Sequence, residues 1–380
     1  MDRLKLGMWS LFTVTVILPA LYMFYAETLP QEIELPTLGT QKEHIWKQAI
    51  VPLPTNPKVE RSLSDIGKLI WFDKKISANK DGACESCHRL ANNRPDVCFE
   101  VESANCNSCH VSPIRGSGGD GMALYKKPNG DSGGRNTLSV WNSRFNIGYG
   151  WDGREFELDS FIKSHISDPN ISGVEKEELL KNIAENPKYR QFFGKEVMPD
   201  KVSIALGEFV KTLVVANSRF DLYLAGDASA LGTDEKKGYE TFRKKGCVIC
   251  HNGINIGGNS FKTFGIYKMH KLSDKIGWFA LLGNTFEDEN LRRDDKGVFA
   301  LTGLPGDKYL FRVASLRNVE LNRPYFTQGQ VWNLEDAVRT MGRVQLGIEL
   351  TDEEVGFIRA FLGSLSGRIP VIKPPLDEEY

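Results

Sequence analysis

The chain has 380 residues, 41% of them hydrophobic, enough for large buried cores and for two domains once a targeting segment is set aside. Its formal net charge of -1 excludes a surface built to track phosphates, so no nucleic-acid partner is expected. Basic stretches such as Lys236-Lys237 and Arg243-Lys244-Lys245 are interleaved with acids and helix formers and read as solvated helix faces.

Leu6 to Ala26 holds no charge, and LGMWSLFTVTVILPALYMFYA matches the roughly 20 residues that cross a bilayer. Arg3 and Lys5 precede it, which keeps the N-terminus cytoplasmic and sends the rest of the chain across. The bulky Phe24 and Tyr25 are poor cleavage-site residues, so residues 1–30 are expected to stay as a signal anchor. Cleavage is the alternative, leaving a soluble exported protein. Residues 31–60, with Pro36, Pro52, Pro54 and Pro57, read as a tether. A helix is expected from Ser62 to Phe72, where Leu63, Ile66, Leu69 and Ile70 cluster on one side.

Six of the seven cysteines form pairs, Cys84/Cys87, Cys106/Cys109 and Cys247/Cys250, each followed at once by a histidine: His88, His110 and His251. Covalent haem attachment requires this spacing, because two thiols add to the porphyrin vinyl groups and the adjacent histidine coordinates the iron. A four-thiolate zinc ribbon fits the first two pairs but leaves the histidines and the third motif unexplained. Three thioredoxin-like dithiols outside any βαβ setting, or disulfides closing two-residue loops, are poorer readings. Three haems c are therefore expected. Cys98 is left over, either a buried thiol or an intermolecular disulfide partner.

Residues 116 to 153 are rich in glycine and should be loop, able to pass close to a flat cofactor. Helices are expected from about Glu175 to Phe193, and from Asp200, as N-cap, to Asn217, with Ile204, Leu206, Phe209, Val210, Leu213 and Val214 as an apolar stripe. Thr233 starts another helix that runs into the third motif, and residues 252–325 read as irregular. Asn333 caps a further helix, and Thr351-x-x-Glu354 is a capping box for the last, which Gly367 and Pro370 terminate. Few segments alternate as strands do. The fold class is mainly α: two cytochrome c-like haem domains with long loops, over 61–216 and 217–370, after an N-terminal membrane-spanning helix and before a tail at 371–380.

The motifs IGKLIWFDKKIS, GGRNTLSVWNSRFN, WDGR (Trp151 to Arg154), NSRFDLYLAGD, KGCVICHNGINIGG, FRVASLRNVELNRPYF and AVRTMGRVQLG resemble the bacterial di-haem cytochrome c peroxidase family, which includes the MauG enzymes. The likeness runs from about Leu63 to Pro370. It implies that His88 is the proximal ligand of a haem that meets peroxide, and His251 that of an electron-storing haem. Met341 falls where the family places a second ligand to the storing haem, and His/Met ligation raises the potential. From the residues alone Met341 reads equally as core, since Leu334, Val338 and Met341 share a helical face. The resemblance further makes Trp151 an electron relay and Asn136, with the Asn322 and Pro324 carbonyls, a calcium site. It also implies hydrogen peroxide as substrate, a small periplasmic donor such as a cytochrome c or cupredoxin, a homodimer, and a location on the periplasmic side of the inner membrane.

Two departures stand out. Where the family has N-P-V-E-M-G, this chain reads Asp168-Pro169-Asn170-Ile171-Ser172-Gly173, so Ile171 replaces a glutamate that does acid–base work on peroxide. Pro128 falls near the position of a further family histidine. Asp168, Glu175 and His165 are candidate substitutes for the glutamate, His165 reading equally as a surface helix residue. The second departure is an insertion, residues 89–112, which carries Cys98 and the middle motif. Three functions are consistent with these residues: a peroxidase, a non-catalytic electron-transfer cytochrome, or a MauG-like oxidase of a protein partner.

Overall fold

The computed structural model describes residues 50–55, 57–76, 83–88, 90, 134–172, 174–266 and 295–375. The apolar run Leu6 to Ala26, the middle motif Cys106/Cys109-His110, Cys98 and Pro128 lie outside the described residues. Among the described residues no helix is long and apolar enough to cross a membrane.

The expected first helix forms as α1, Arg61–Phe72, with the Glu60 side chain accepting from the Ser62 N–H. It buries Gly67, Ile70, Trp71 and Phe72. A side chain at Gly67 would strike the Ala205 carbonyl at 2.0 Å, so glycine permits a close helix crossing there. The haem motif comes next as one turn, α2, Cys84–Cys87. After it come α3, Leu158–Ile166, and the short α4, Pro169–Ser172. The sequence pattern did not announce α3, whose N-cap Glu157 makes no capping bond.

The helix expected over Glu175 to Phe193 is two: α5, Lys176–Glu185, and α6, Pro187–Phe193. Pro187 forces the break, and the Asn186 side chain caps the new helix by accepting from Lys188 N–H at 3.0 Å. α7 spans Pro199–Thr212, capped at Met198 rather than at Asp200, whose carboxylate instead pairs with Lys163 at 2.6 Å. It also ends five residues short of Asn217. Asn142 draws the chain off the helix, donating from its N–H to Leu213 O at 2.8 Å and accepting from Val215 N–H at 2.8 Å. α7 packs between α1 and α3, and Ile70, Trp71, Leu179, Ile183, Tyr189, Leu206 and Phe209 fill the core around it.

The second half opens with α8, Arg219–Leu224, set by a Ser218/Asp221 capping box, and α9, Thr233–Lys244. The stretch expected to be irregular contains β1, Phe261–Thr263, antiparallel to β2, Leu310–Arg312, with Lys262 opposite Phe311. Three-residue strands are too short to show alternation. Between them in the chain lies the turn α10, Phe299–Thr302. α11, Leu334–Met341, is capped by Asn333 as expected and passes directly into a π-helical turn, Gly342–Leu346. α12, Asp352–Ser364, has the expected Thr351/Glu354 capping box. α9 and α12 cross at Gly238, where an added Cβ would lie 1.9 Å from Phe357 O. Phe220, Tyr239, Phe242 and Phe361 interlock beside that crossing with ring centroids about 5 Å apart. A buried ion pair, Arg317–Asp221 at 2.8 Å, ties the later loops to α8.

Candidate haem centres

In the first centre the single turn of α2 puts Cys84 and Cys87 on one side, and His88 N–H closes it onto Cys84 O at 2.9 Å. Its orientation comes from α1. The Trp71 ring lies 5.9 Å from the His88 ring, and its indole N–H donates to Glu85 at 3.3 Å, while Glu85 also accepts from Leu90 N–H. Burial, reinforced by Cys87, pushes the Cys84 thiol up to about 12.

The second centre begins at Gly246, left-handed at φ 91°, which turns the chain out of α9 into the tight turn Cys247–Ile249. Cys250 and His251 N–H groups both bond to Cys247 O. Burial pushes Cys247 up to about 11 and His251 down to about 4, so the imidazole is neutral at pH 7 and carries a lone pair for a metal. The backbone of Ile256 and Ala314 partly offsets that fall, yet Nδ1 completes no hydrogen bond among the described residues.

Cys247, Cys250 and His251 line a cavity with about 1370 Å³ of atom-free space including its mouth, walled by Phe264, Phe311, Val338 and other apolar groups. Met341, from the end of α11, lines the same cavity, as does Trp151. Arg312 is also in the wall; burial pushes its guanidinium down to about 10, and among the described residues Tyr149 offsets part of that fall. A large apolar cavity with paired thiols, a neutral histidine, a thioether and a buried cation suits haem, whose ring is apolar and whose propionates are anionic. Cys84, Cys87 and His88 would hold a first haem in the same manner. Two such centres define a c-type cytochrome.

Trp151 donates its indole N–H to Asn136 O at 2.8 Å, and the Asn136 side chain reaches Pro324 O at 2.7 Å. Asn136 and Pro324, expected to share a cation, are thus together, and Asn322 lies two residues before that carbonyl. Asp168 is committed to its own turn, accepting from both the backbone and side-chain N–H groups of Asn170. Glu175 is exposed at the start of α5, and Ile171 is 38% exposed. His165 is different. It is half-buried, and burial first, then the charge of His88, pushes its imidazole down to about 4. Sequence reasoning could not separate these three because all sit on or beside helices of similar polarity.

Residues 100–229 match the family description of the di-haem cytochrome c peroxidases. The cytochrome c551 peroxidase of Pseudomonas aeruginosa is 35% identical over 82% of this chain and 81% of its own length. That of Nitrosomonas europaea is 31% identical over 87% of each. The methylamine utilisation protein MauG of Methylorubrum extorquens is 25% identical over 82% of this chain and 77% of its own. In fold, the chain is similar to the di-haem peroxidase BthA of Burkholderia thailandensis, in its Y463M variant, with a TM-score of 0.61 at 18% identity, covering 85% of this chain and 90% of that one. The chain belongs to the di-haem cytochrome c peroxidase family. It is an oxidoreductase of the peroxidase type.

Proposed function

We propose that the protein reduces hydrogen peroxide at the His88 centre with electrons stored at the His251 centre. The observation that carries this division is Met341 lining the cavity of His251. A histidine and a thioether would together hold the iron of a bound haem and would raise its potential, which suits storage and leaves peroxide to the other centre. When bound, haem supplies the electron storage and the peroxide-binding iron. The chain's own residues do the rest. Cys84 and Cys87, Cys247 and Cys250 fix the rings, His88 and His251 set the proximal faces, and Trp151 lines the route out of the storing centre. The balance is one peroxide, two electrons and two protons to two waters.

Asn136 and Pro324, with Asn322, form a calcium site in this reading. The amide of Asn136, turned over, would present its oxygen beside the Pro324 carbonyl, and amide oxygen and nitrogen exchange places at little geometric cost. Cys106, Cys109 and His110 hold a third haem that takes electrons from the donor, a small periplasmic cytochrome c or cupredoxin. Leu6 to Ala26 anchors the chain to the inner membrane, and the protein works as a homodimer.

Stopped-flow mixing of the half-reduced protein with peroxide tests the reading. Oxidation of the His251 haem with one peroxide consumed per two electrons is the expected result. Oxidation no faster than that of free haem would overturn it and leave an electron-transfer cytochrome.

A further inference from the structure

The wall of the His251 cavity is unbalanced in charge. Among the described residues that line it none is Asp or Glu, yet Lys262 and Arg312 both take part, from the paired strands β1 and β2. Lys262 is exposed, whereas Arg312 is only 5% accessible. The Arg312 guanidinium makes no ion pair among the described residues and spends one group, Nε, on Gly150 O at 3.2 Å. Its two Nη groups have no hydrogen-bond partner among the described residues and are not closed off by protein, so this edge of the guanidinium opens on the cavity that Arg312 lines. Ser315 and Gln345, also in the wall, differ: Ser315 Oγ is bonded to Asn255, and Gln345 to Gly265 N–H and Thr263 O. An enclosed cation without an anion is costly, and the cost is offset when a carboxylate comes to it.

The backbone holds Arg312 in place. Its N–H donates to Trp151 O at 3.0 Å, and across the strand pair it faces Phe261, whose ring takes the space that a Cβ on Gly153 would need, 2.1 Å away. The end of β2, Gly150 and Trp151 therefore form one fixed unit. A planar guanidinium whose Nε is occupied still presents its Nη pair, an edge that can grip both oxygens of a carboxylate. From this geometry we infer that Arg312 is the seat for one propionate carboxylate of the haem at Cys247 and Cys250, with Lys262 meeting the other, and that it ties this haem to the loop carrying Trp151. The inference rests on the reading that haem occupies this cavity and is independent of what happens to peroxide. A fixed positive charge beside the cofactor favours its reduced state, so Arg312 works in the same direction as Met341 on the potential.

The test compares the haem-loaded wild type with Arg312→Gln, Arg312→Lys and Lys262→Gln by redox titration and by resonance Raman spectroscopy, in which the propionate bending bands report hydrogen bonding to each carboxylate. Arg312→Gln should shift one propionate band and move the reduction equilibrium of the His251 haem about tenfold toward the oxidised state, about 59 mV for one electron. The haem count per chain should stay that of the wild type, because Cys247 and Cys250 hold the ring. Arg312→Lys keeps the charge and loses the planar fork, so it should restore most of the potential while the band stays shifted, and it serves as the deciding variant where Arg312→Gln does not fold. Lys262→Gln, at an exposed strand position, should shift the other propionate band. Unshifted propionate bands in the Arg312 variants, with haem attached, would overturn the inference and leave the haem reading standing; a changed potential with unshifted bands would do the same, making Arg312 a remote charge. A wild type with no haem on Cys247 and Cys250, read by haemochrome assay and peptide mapping, would overturn both.

Discussion

The indole of Trp151 and the backbone carbonyl of Asn136 are joined by a 2.8 Å hydrogen bond, and the same asparagine spends its side chain on Pro324 O. Trp151 is therefore held by the loop that carries the proposed calcium site while it lines the His251 cavity. Trp151→Phe keeps an aromatic ring but removes the donor. It should cost about 1 kcal/mol of stability and slow electron transfer between the haems. Flash or stopped-flow reduction read at the two haem spectra measures this, and an unchanged inter-haem rate would remove Trp151 from the route.

Met341→Ala should lower the potential of the second haem and abolish the sulfur-to-iron charge-transfer band of the oxidised protein. Covalent attachment through Cys247 and Cys250 should survive. Redox titration monitored by optical spectra decides it. A preserved band would return Met341 to a packing role on the face it shares with Leu334, Ala337 and Val338.

Haem stoichiometry isolates the inserted motif. A pyridine haemochrome assay should give three haems per chain for the wild type and two for a Cys106→Ala, Cys109→Ala variant. Two in both would assign those cysteines to other chemistry.

Arg317 and Asp221 are almost fully enclosed, with side chains 1% and 4% accessible. Asp221 also accepts from Ser218 and from Leu53 N–H. Arg317→Met would strand a buried carboxylate, and the loss should be about 3–5 kcal/mol in denaturant unfolding. Arg317→Met combined with Asp221→Asn should recover part of it, because the stranded charge is then gone.

Asp152 is buried, which alone would raise its pKa, but hydrogen bonds from Arg154 and Arg135 and their charges outweigh this and hold it below its ordinary 3.8. A group depressed in the folded state stabilises above its unfolded pKa and loses that contribution as pH falls through the folded value. The wild type should therefore lose stability below about pH 4, and Asp152→Asn should be less stable at neutral pH with a shallower acid limb. Thermal melts from pH 7 to 3 measure both.

Much of this was legible in the residues themselves. Cysteine-histidine spacing singled out the two described motifs, which fold as tight turns, and caps at Asn333 and Thr351 placed the starts of two helices. What escaped was decided by contacts across the chain. Asn142 ends α7 from far away in sequence, as its bond to Val215 shows at a separation of 73. The strand pair joins Phe261 to Arg312 through backbone bonds that no local pattern encodes. His165 was the hardest, because whether a helix histidine is exposed or enclosed depends on the groups packed beyond it.

The π-helical turn directly after Met341 has a consequence for how this site can change over time. One extra residue per turn rotates the downstream chain by about 100° relative to an α-helix. Upstream, α11 keeps the residue-341 side chain on the cavity face. Downstream, Gln345 is fastened to the first strand by bonds to Gly265 N–H and Thr263 O, and the chain turns at Gly347 toward α12. The turn acts as a register joint between a side chain that lines the His251 cavity and a chain path dictated by packing. Evolution, or an engineer, can exchange the cavity-lining residue at 341 without re-threading the segment beyond it.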